Sequence, residues 1–168
     1  VRHCAATDVV DDDGFDLVLC VGVLEYAGHE PDRFLAHLAA LVRPGGALVV
    51  AIENRFGLAY WLQADEDHLG LPFVGLEGYP PVAATSATAT VRTFSRPELA
   101  GHLTAAGLTA QRWYQPFPDY KLPTTVLTDR CYDQPDAIDL VDQLVGPPID
   151  RSRMGGRVSA DERAIHRQ

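Results

Sequence analysis

The chain has only three cysteines, Cys4, Cys20 and Cys131, too widely spaced for a CxxC pair or a metal-ligand set. Their small, odd number argues against a disulfide framework and suits a reducing compartment, so a cytoplasmic location is expected. Positive charge is also short: 14 Lys and Arg stand against 23 Asp and Glu, a formal net charge of −9. A surface that acidic repels phosphate backbones, which argues against a nucleic-acid partner. No apolar run approaches the roughly 20 residues of a membrane helix, and the longest, Ala47 to Ile52, is strand-sized. The opening Val1-Arg2-His3-Cys4 lacks a basic stretch leading into an apolar one, so no signal peptide is expected. It also lacks Met, and a fragment or processed product is expected.

The composition is otherwise that of a globular domain. The 168 residues are 46% hydrophobic, enough for one core. Phe15 to Leu24 is a near-continuous apolar run after the acidic turn Asp11-Asp12-Asp13-Gly14. Such a run predicts a strand buried on both faces, as in a parallel sheet. Pro31 fits the first turn of a helix whose apolar face is Phe34, Leu35, Leu38, Leu41 and Val42. Arg43-Pro44-Gly45-Gly46 is expected to end it, and Ala47 to Ile52 reads as a second buried strand. Strand, helix, turn and strand make a right-handed βαβ unit.

Residues 55–93 lose this periodicity and carry aromatics, acids and turn formers. Long aperiodic stretches of this kind are functional lids or mobile insertions. A short helix is expected at Leu58 to Gln63. Ser95 and Glu98 form a capping box for a helix that places Leu99, Leu103 and Ala106 inward and closes at Gly107. Leu108 to Tyr114 and Thr124 to Leu127 read as antiparallel strands around a turn at Pro116-Phe117-Pro118-Asp119. The first 130 residues therefore form one domain with a lid insertion. Residues 131–168 are expected to hold a helix, Ala137 to Val145, and a polar tail or linker.

Phe15-Asp16-Leu17-Val18, Gly22-Val23-Leu24-Glu25-Tyr26, Leu41-Val42-Arg43-Pro44-Gly45-Gly46 and Ile52-Glu53-Asn54 follow one another at fixed spacing. This ordered set resembles the second half of class I S-adenosylmethionine-dependent methyltransferases. Ile52 to Leu58, Glu66 to Gly70, Glu77 to Pro80, Arg92 to Ser95 and Phe117 to Pro123 look like methyltransferase domains of bacterial cell-surface polysaccharide proteins, often fused to glycosyltransferase modules. The resemblance implies an α/β Rossmann-like methyltransferase sheet of parallel strands plus a C-terminal antiparallel pair. It also implies S-adenosylmethionine as cofactor, and O-methylation of a saccharide or small-molecule acceptor. The alternative is a non-catalytic remnant or interaction module of a polysaccharide-assembly or glycosyltransferase protein. The family's Gly-rich cofactor loop and the carboxylate after its second strand have no counterpart in these residues. Gly45-Gly46 lies between a helix and a strand, the wrong place for such a loop. The sheet is accordingly expected to be N-terminally truncated, with an apolar edge that an upstream segment or a partner chain covers.

Ligands of open α/β sheets lie at the carboxyl ends of the strands. Gly22 and Val23 there either admit the cofactor's methionine part or pack the strand end. Glu25 either contacts the cofactor or caps the next helix. Asp8, or Thr7 beside it, is a candidate for the adenine, and Tyr26 for the acceptor. Glu53, Asn54 and Arg55, three polar residues directly after a buried strand, are the strongest polar cluster. Glu53 is assigned a catalytic role, and Asn54 and Arg55 acceptor contacts. His68, flanked by Asp67, is the candidate general base, because a carboxylate orients an imidazole; a solvent-exposed loop histidine is the other reading. Asp119, Tyr120 and Lys121 either line the acceptor pocket or pair with each other. No metal site is expected.

Overall fold

The computed structural model describes residues 3–61, 63–80, 91–117 and 120–133. The expected helix at Ala137 to Val145, the tail beyond it, and Asp119 lie outside the described residues. β1 (Phe15–Val21) and β2 (Val42–Ala51) pair in parallel, joined through α1 (Pro31–Ala40). After β2 come α2 (Leu58–Trp61) and α3 (Arg96–Ala105). β3 (Tyr114–Phe117) and β4 (Thr125–Thr128) then pair antiparallel, followed by α4 (Asp129–Tyr132). Short 3-10 turns at Ala6–Asp8 and Leu24–Tyr26 flank β1. The α/β class, with parallel strands and a later antiparallel pair, is the one the sequence predicts.

One face of the parallel pair makes the core. Cys20 and Leu24 meet Leu35, Leu38 and Leu41 of the α1 region and Phe94 and Leu99 beside α3, with Val18, Leu48 and Val50 packed against them. Each buried Leu contributes about 1.5–3 kcal/mol relative to exposure. His102 Nδ1 reaches Asp32 Oδ1 at 2.7 Å and ties α3 to α1. α3 starts as its sequence dictates. The Ser95 N–H donates to Glu98 at 2.8 Å, and the Ser95 hydroxyl accepts from the Glu98 N–H, completing the capping box.

Four expectations need correction. β1 is not buried on both faces: Leu17, Leu19 and Val21 are 52%, 63% and 48% exposed. Alternate strand residues point to opposite faces, and among the described residues only the Val18 and Cys20 side is covered. Arg43-Pro44-Gly45-Gly46 does not end the helix, which stops at Ala40; it is a bulge within β2. The register passes from Phe15↔Val42 to Leu17↔Ala47 across it. Gly46 is required there, because a Cβ would lie 2.8 Å from the Phe15 carbonyl oxygen. The strand expected at Leu108 to Tyr114 begins only at Tyr114. The Gln111 amide donates to the Ala100 and Leu108 carbonyls and holds that stretch as a loop. Pro116, expected in a turn, pairs with Val126 in β3; a strand with one neighbour tolerates the missing N–H.

Candidate functional site

Three segments converge at the carboxyl ends of β1 and β2. After β1 the chain turns at Gly22, whose φ of +61° suits glycine, and Leu24–Tyr26 form a 3-10 turn that buries Glu25 to 2% exposure. After β2, Glu53 stands two residues on, past Ile52. From the loop between β3 and β4, Tyr120 and Lys121 reach across. The Tyr120 hydroxyl donates to Glu53 Oε1 at 3.3 Å, and Lys121 Nζ lies 2.8 Å from the same oxygen. Gly22 makes room for this crossing: a Cβ there would sit 3.0 Å from the Tyr120 hydroxyl and 3.8 Å from Glu25 Oε1.

Residues from the stretch between β2 and α3 also meet this edge. Lys121 Nζ also meets Asp67 Oδ2 at 3.3 Å. The Arg92 N–H donates to the Glu25 carbonyl at 3.1 Å, and Asn54 and Phe94 form a parallel bridge, so both ends of this stretch are held beside the site. His68 stacks edge-on against Tyr26, with ring centroids 5.4 Å apart. The carboxylate that holds His68 is Glu66, which corrects the Asp67 expectation. Glu66 Oε1 meets His68 Nδ1 at 2.9 Å, and Oε2 accepts the N–H groups of His68 and Leu69 at 2.9 and 2.8 Å. The Tyr79 hydroxyl donates to Glu66 Oε1 at 3.3 Å and lies 2.6 Å from Thr93 Oγ1.

The electrostatics follow from burial. Burial raises the Glu25 carboxyl above the ordinary carboxylate range, and the negative charge of Glu53 adds to this. Burial and Glu53 push the Tyr120 phenol up to about 12. Hydrogen bonding to Glu53 holds the Lys121 ammonium charged to higher pH than usual. One carboxylate oxygen each of Glu25 and Glu53 is buried without a hydrogen-bond partner among the described residues.

The structure thus brings together Gly22, Glu25, Tyr26, Glu53, His68, Tyr120 and Lys121. It places other candidates elsewhere. Arg55 Nε faces Glu98 Oε2 at 3.2 Å, an ion pair without hydrogen-bond geometry, and its guanidinium covers the Phe56 ring. Asn54 Oδ1 accepts the Phe56 N–H at 3.0 Å and shapes a turn. Asp8 is exposed on the first 3-10 turn, but its neighbour Thr7 lines a groove of about 580 Å³ with Val23, Tyr26, Ala27 and Phe34. Glu66 and Tyr79 were not singled out by the sequence. The available signal was an acid placed two and three residues before the N–H groups it accepts, a local capping pattern. Among the described residues no His, Cys, Asp and Glu group can hold a metal ion, and no helix is long and apolar enough to cross a membrane.

Residues 1–50, which carry β1, the turn bearing Glu25, α1 and most of β2, match the family model of a methyltransferase domain. The match ends at residue 50 and marks that part of the chain as similar to a methyltransferase domain. No curated protein and no solved structure matches.

Proposed function

We propose that this chain is part of an S-adenosylmethionine-dependent methyltransferase that methylates an oxygen of a saccharide or small-molecule acceptor. The observation that carries the reading is the meeting of Glu25, Glu53, Tyr120, Lys121 and the His68–Glu66 pair at the carboxyl edge of a parallel sheet, beside the segment with methyltransferase likeness. The residues fit the cofactor in two respects. A groove runs from Thr7 past Val23 to Tyr26, and Glu25 presents an unpartnered buried oxygen. When bound, the cofactor supplies an electrophilic methyl on a sulfonium. The chain's own work is to position the acceptor oxygen in line and remove its proton. In the tautomer that donates Nδ1–H to Glu66, His68 Nε2 is the basic atom that takes that proton. Glu53, held by Tyr120 and Lys121, orients the acceptor, and Tyr26 lines its entry. The reading keeps a cytoplasmic location.

Calorimetry with S-adenosylmethionine tests it, first on these 168 residues and then on the full gene product. Weak binding to the chain alone and recovery in the full product are expected. A full product that never binds the cofactor sinks the reading. Loss of labelled-methyl transfer in His68→Ala and Glu53→Ala checks the two assigned roles; unchanged turnover removes them.

We infer further that another strand, from an upstream segment or a partner chain, pairs with the second edge of β1. The support is that among the described residues β1 has only β2 as a strand neighbour, which leaves the backbone groups of its other edge without a strand, while the face carrying Leu17, Leu19 and Val21 is open to whatever layer the added segment brings with it. Leu19→Lys should leave the melting of this chain nearly unchanged and abolish folding or assembly of the full product. Equal tolerance in both ends this idea.

A further inference from the structure

Glu66 and Thr93 are each 2% exposed, and the half-buried Tyr79 hydroxyl joins them. Glu66 Oε2 accepts the His68 and Leu69 N–H groups at 2.9 and 2.8 Å. Its Oε1 meets the Tyr79 hydroxyl at 3.3 Å and His68 Nδ1 at 2.9 Å. The Tyr79 oxygen accepts the Thr93 N–H at 2.8 Å and lies 2.6 Å from Thr93 Oγ1. A hydroxyl has one proton to give. If Tyr79 gave it to Thr93, two bare oxygens would oppose each other between Tyr79 and Glu66. With that proton on Glu66, the Thr93 hydroxyl donates to Tyr79 and every group is matched. Both acceptor sites of Oε1 then face donors, so His68 offers Nδ1–H and keeps Nε2 bare. The backbone points the same way. Tyr79 stands at φ +58°, in the left-handed region that a residue with a side chain rarely adopts. Such strain persists where surrounding bonds over-determine it, and it concentrates at functional sites. Thr93 belongs to the framework: the adjacent Phe94 is a core residue, and Ser95 caps α3.

We propose that Glu66 and Tyr79 are positioning residues for the base: Glu66 fixes the His68 tautomer with Nε2 bare, and Tyr79 ties Glu66 to Thr93 and so places the ring against Tyr26. The proposal rests on the methyltransferase reading for the use made of His68; the tautomer and the tie are structural claims that need no turnover. In the reaction the acceptor O–H bond breaks as its oxygen takes the methyl, the sulfonium leaves as a thioether, and the proton passes to Nε2. The Glu66 carboxylate balances the imidazolium so formed. Glu66→Gln reverses the arrangement. The two backbone N–H groups claim the amide oxygen, so the amide NH2 lies at His68 Nδ1 and donates to it. Nε2 then carries the ring proton and cannot accept another.

The test is magnetic resonance of the His68 ring nitrogens in the 168-residue chain at alkaline pH, with labelled-methyl turnover of the full gene product beside it. In the parent, Nδ1 should carry the proton and Nε2 should not. Glu66→Gln should exchange the two and lower kcat by on the order of a hundredfold or more, with the acceptor KM little changed. Tyr79→Phe should keep the parent tautomer, weaken the through-space signal between the His68 and Tyr26 rings, and lower kcat about tenfold. A merely structural role for Glu66 would not reverse the ring. The parent spectrum stands even if a variant misfolds. A parent with Nδ1 bare, a Glu66→Gln protein with the parent tautomer, or a Tyr79→Phe protein with an undiminished ring contact overturns the proposal. A full product that transfers methyl groups with His68 in the other tautomer keeps the function and loses this arrangement. The expected tautomers in a full product that never binds the cofactor keep the arrangement and lose the function.

Discussion

His68 and Glu66 lie two residues apart, and their side chains meet at 2.9 Å with Glu66 only 2% exposed. The same carboxylate collects the backbone N–H groups of His68 and Leu69, so it fixes both the loop and the ring borne on it. Glu66→Ala should therefore strand buried donors and lower stability by about 2–4 kcal/mol, roughly the desolvation cost of two such groups. Urea unfolding measures this; a loss under about 0.5 kcal/mol, the range of ordinary surface changes, would contradict it.

Gly22→Ala adds a Cβ 3.0 Å from the Tyr120 hydroxyl at a positive φ. The left-handed backbone alone costs about 1–2 kcal/mol for a residue with a side chain. The crowding should also drive Tyr120 off Glu53, and the ring signals of Tyr120 in the variant should resemble those of Glu53→Ala. An unshifted Tyr120 would mean that the close approach does not exist in solution.

Glu25 has its folded carboxyl raised above the unfolded value. The folded chain then binds more protons in the interval between the two values. Stability from this group is present below the ordinary carboxylate range and is lost as pH rises through the raised folded value. Glu25→Gln, which cannot ionise, should gain stability over the parent at pH 8 and lose that advantage near pH 4. Parallel melting curves against pH for the two proteins would refute the assignment.

Burial pushes the Cys20 thiol up to about 11, while Cys4 is exposed. Iodoacetamide at pH 8 should label Cys4 first and spare Cys20 until denaturant is added, because the thiolate is the reactive form. Peptide mass spectrometry that finds Cys20 modified in the native chain at the rate of Cys4 would show that the core is open.

Ser95→Ala removes the acceptor for the Glu98 N–H and should cost about 1 kcal/mol. Partial burial raises the Glu98 carboxyl, but the bonds from Ser95 and the charge of Arg55 outweigh it and bring it below its ordinary value. This contribution is present above the unfolded carboxylate range and fades as pH falls through the folded value. The gap between parent and variant should narrow in acid thermal scans.

Local rules read α3 from its sequence because its cap is made by residues three apart. β1 was legible as a strand for the same reason, yet its exposure was not, since an apolar run does not record which neighbours arrive to cover it. The Pro44-Gly45-Gly46 turn chemistry was visible, but a bulge and a helix stop share those residues; only the register against Phe15 and Leu17 tells them apart. At the site, Glu53, Tyr120 and His68 stood out as polar residues near predicted strand ends or loops. Arg55 did too, and the fold turns it toward Glu98 instead, a contact set by packing across many residues of chain. Asp67 looked the better partner for His68 because it is adjacent. Backbone N–H groups two and three residues on select Glu66.

Asn54 and Phe94 bridge, and the Arg55 N–H donates to the Phe94 carbonyl at 3.2 Å. The long excursion between them leaves and rejoins the framework at one clasp. Closing such a loop costs little more when it grows, about 0.6 kcal/mol per doubling of length. The excursion therefore behaves as an exchangeable cassette. A shorter or foreign sequence spliced between Asn54 and Phe94 should leave the strand pair, α1 and α3 intact while removing His68 and its Glu66 partner, so that the proposed base can be exchanged without rebuilding the architecture.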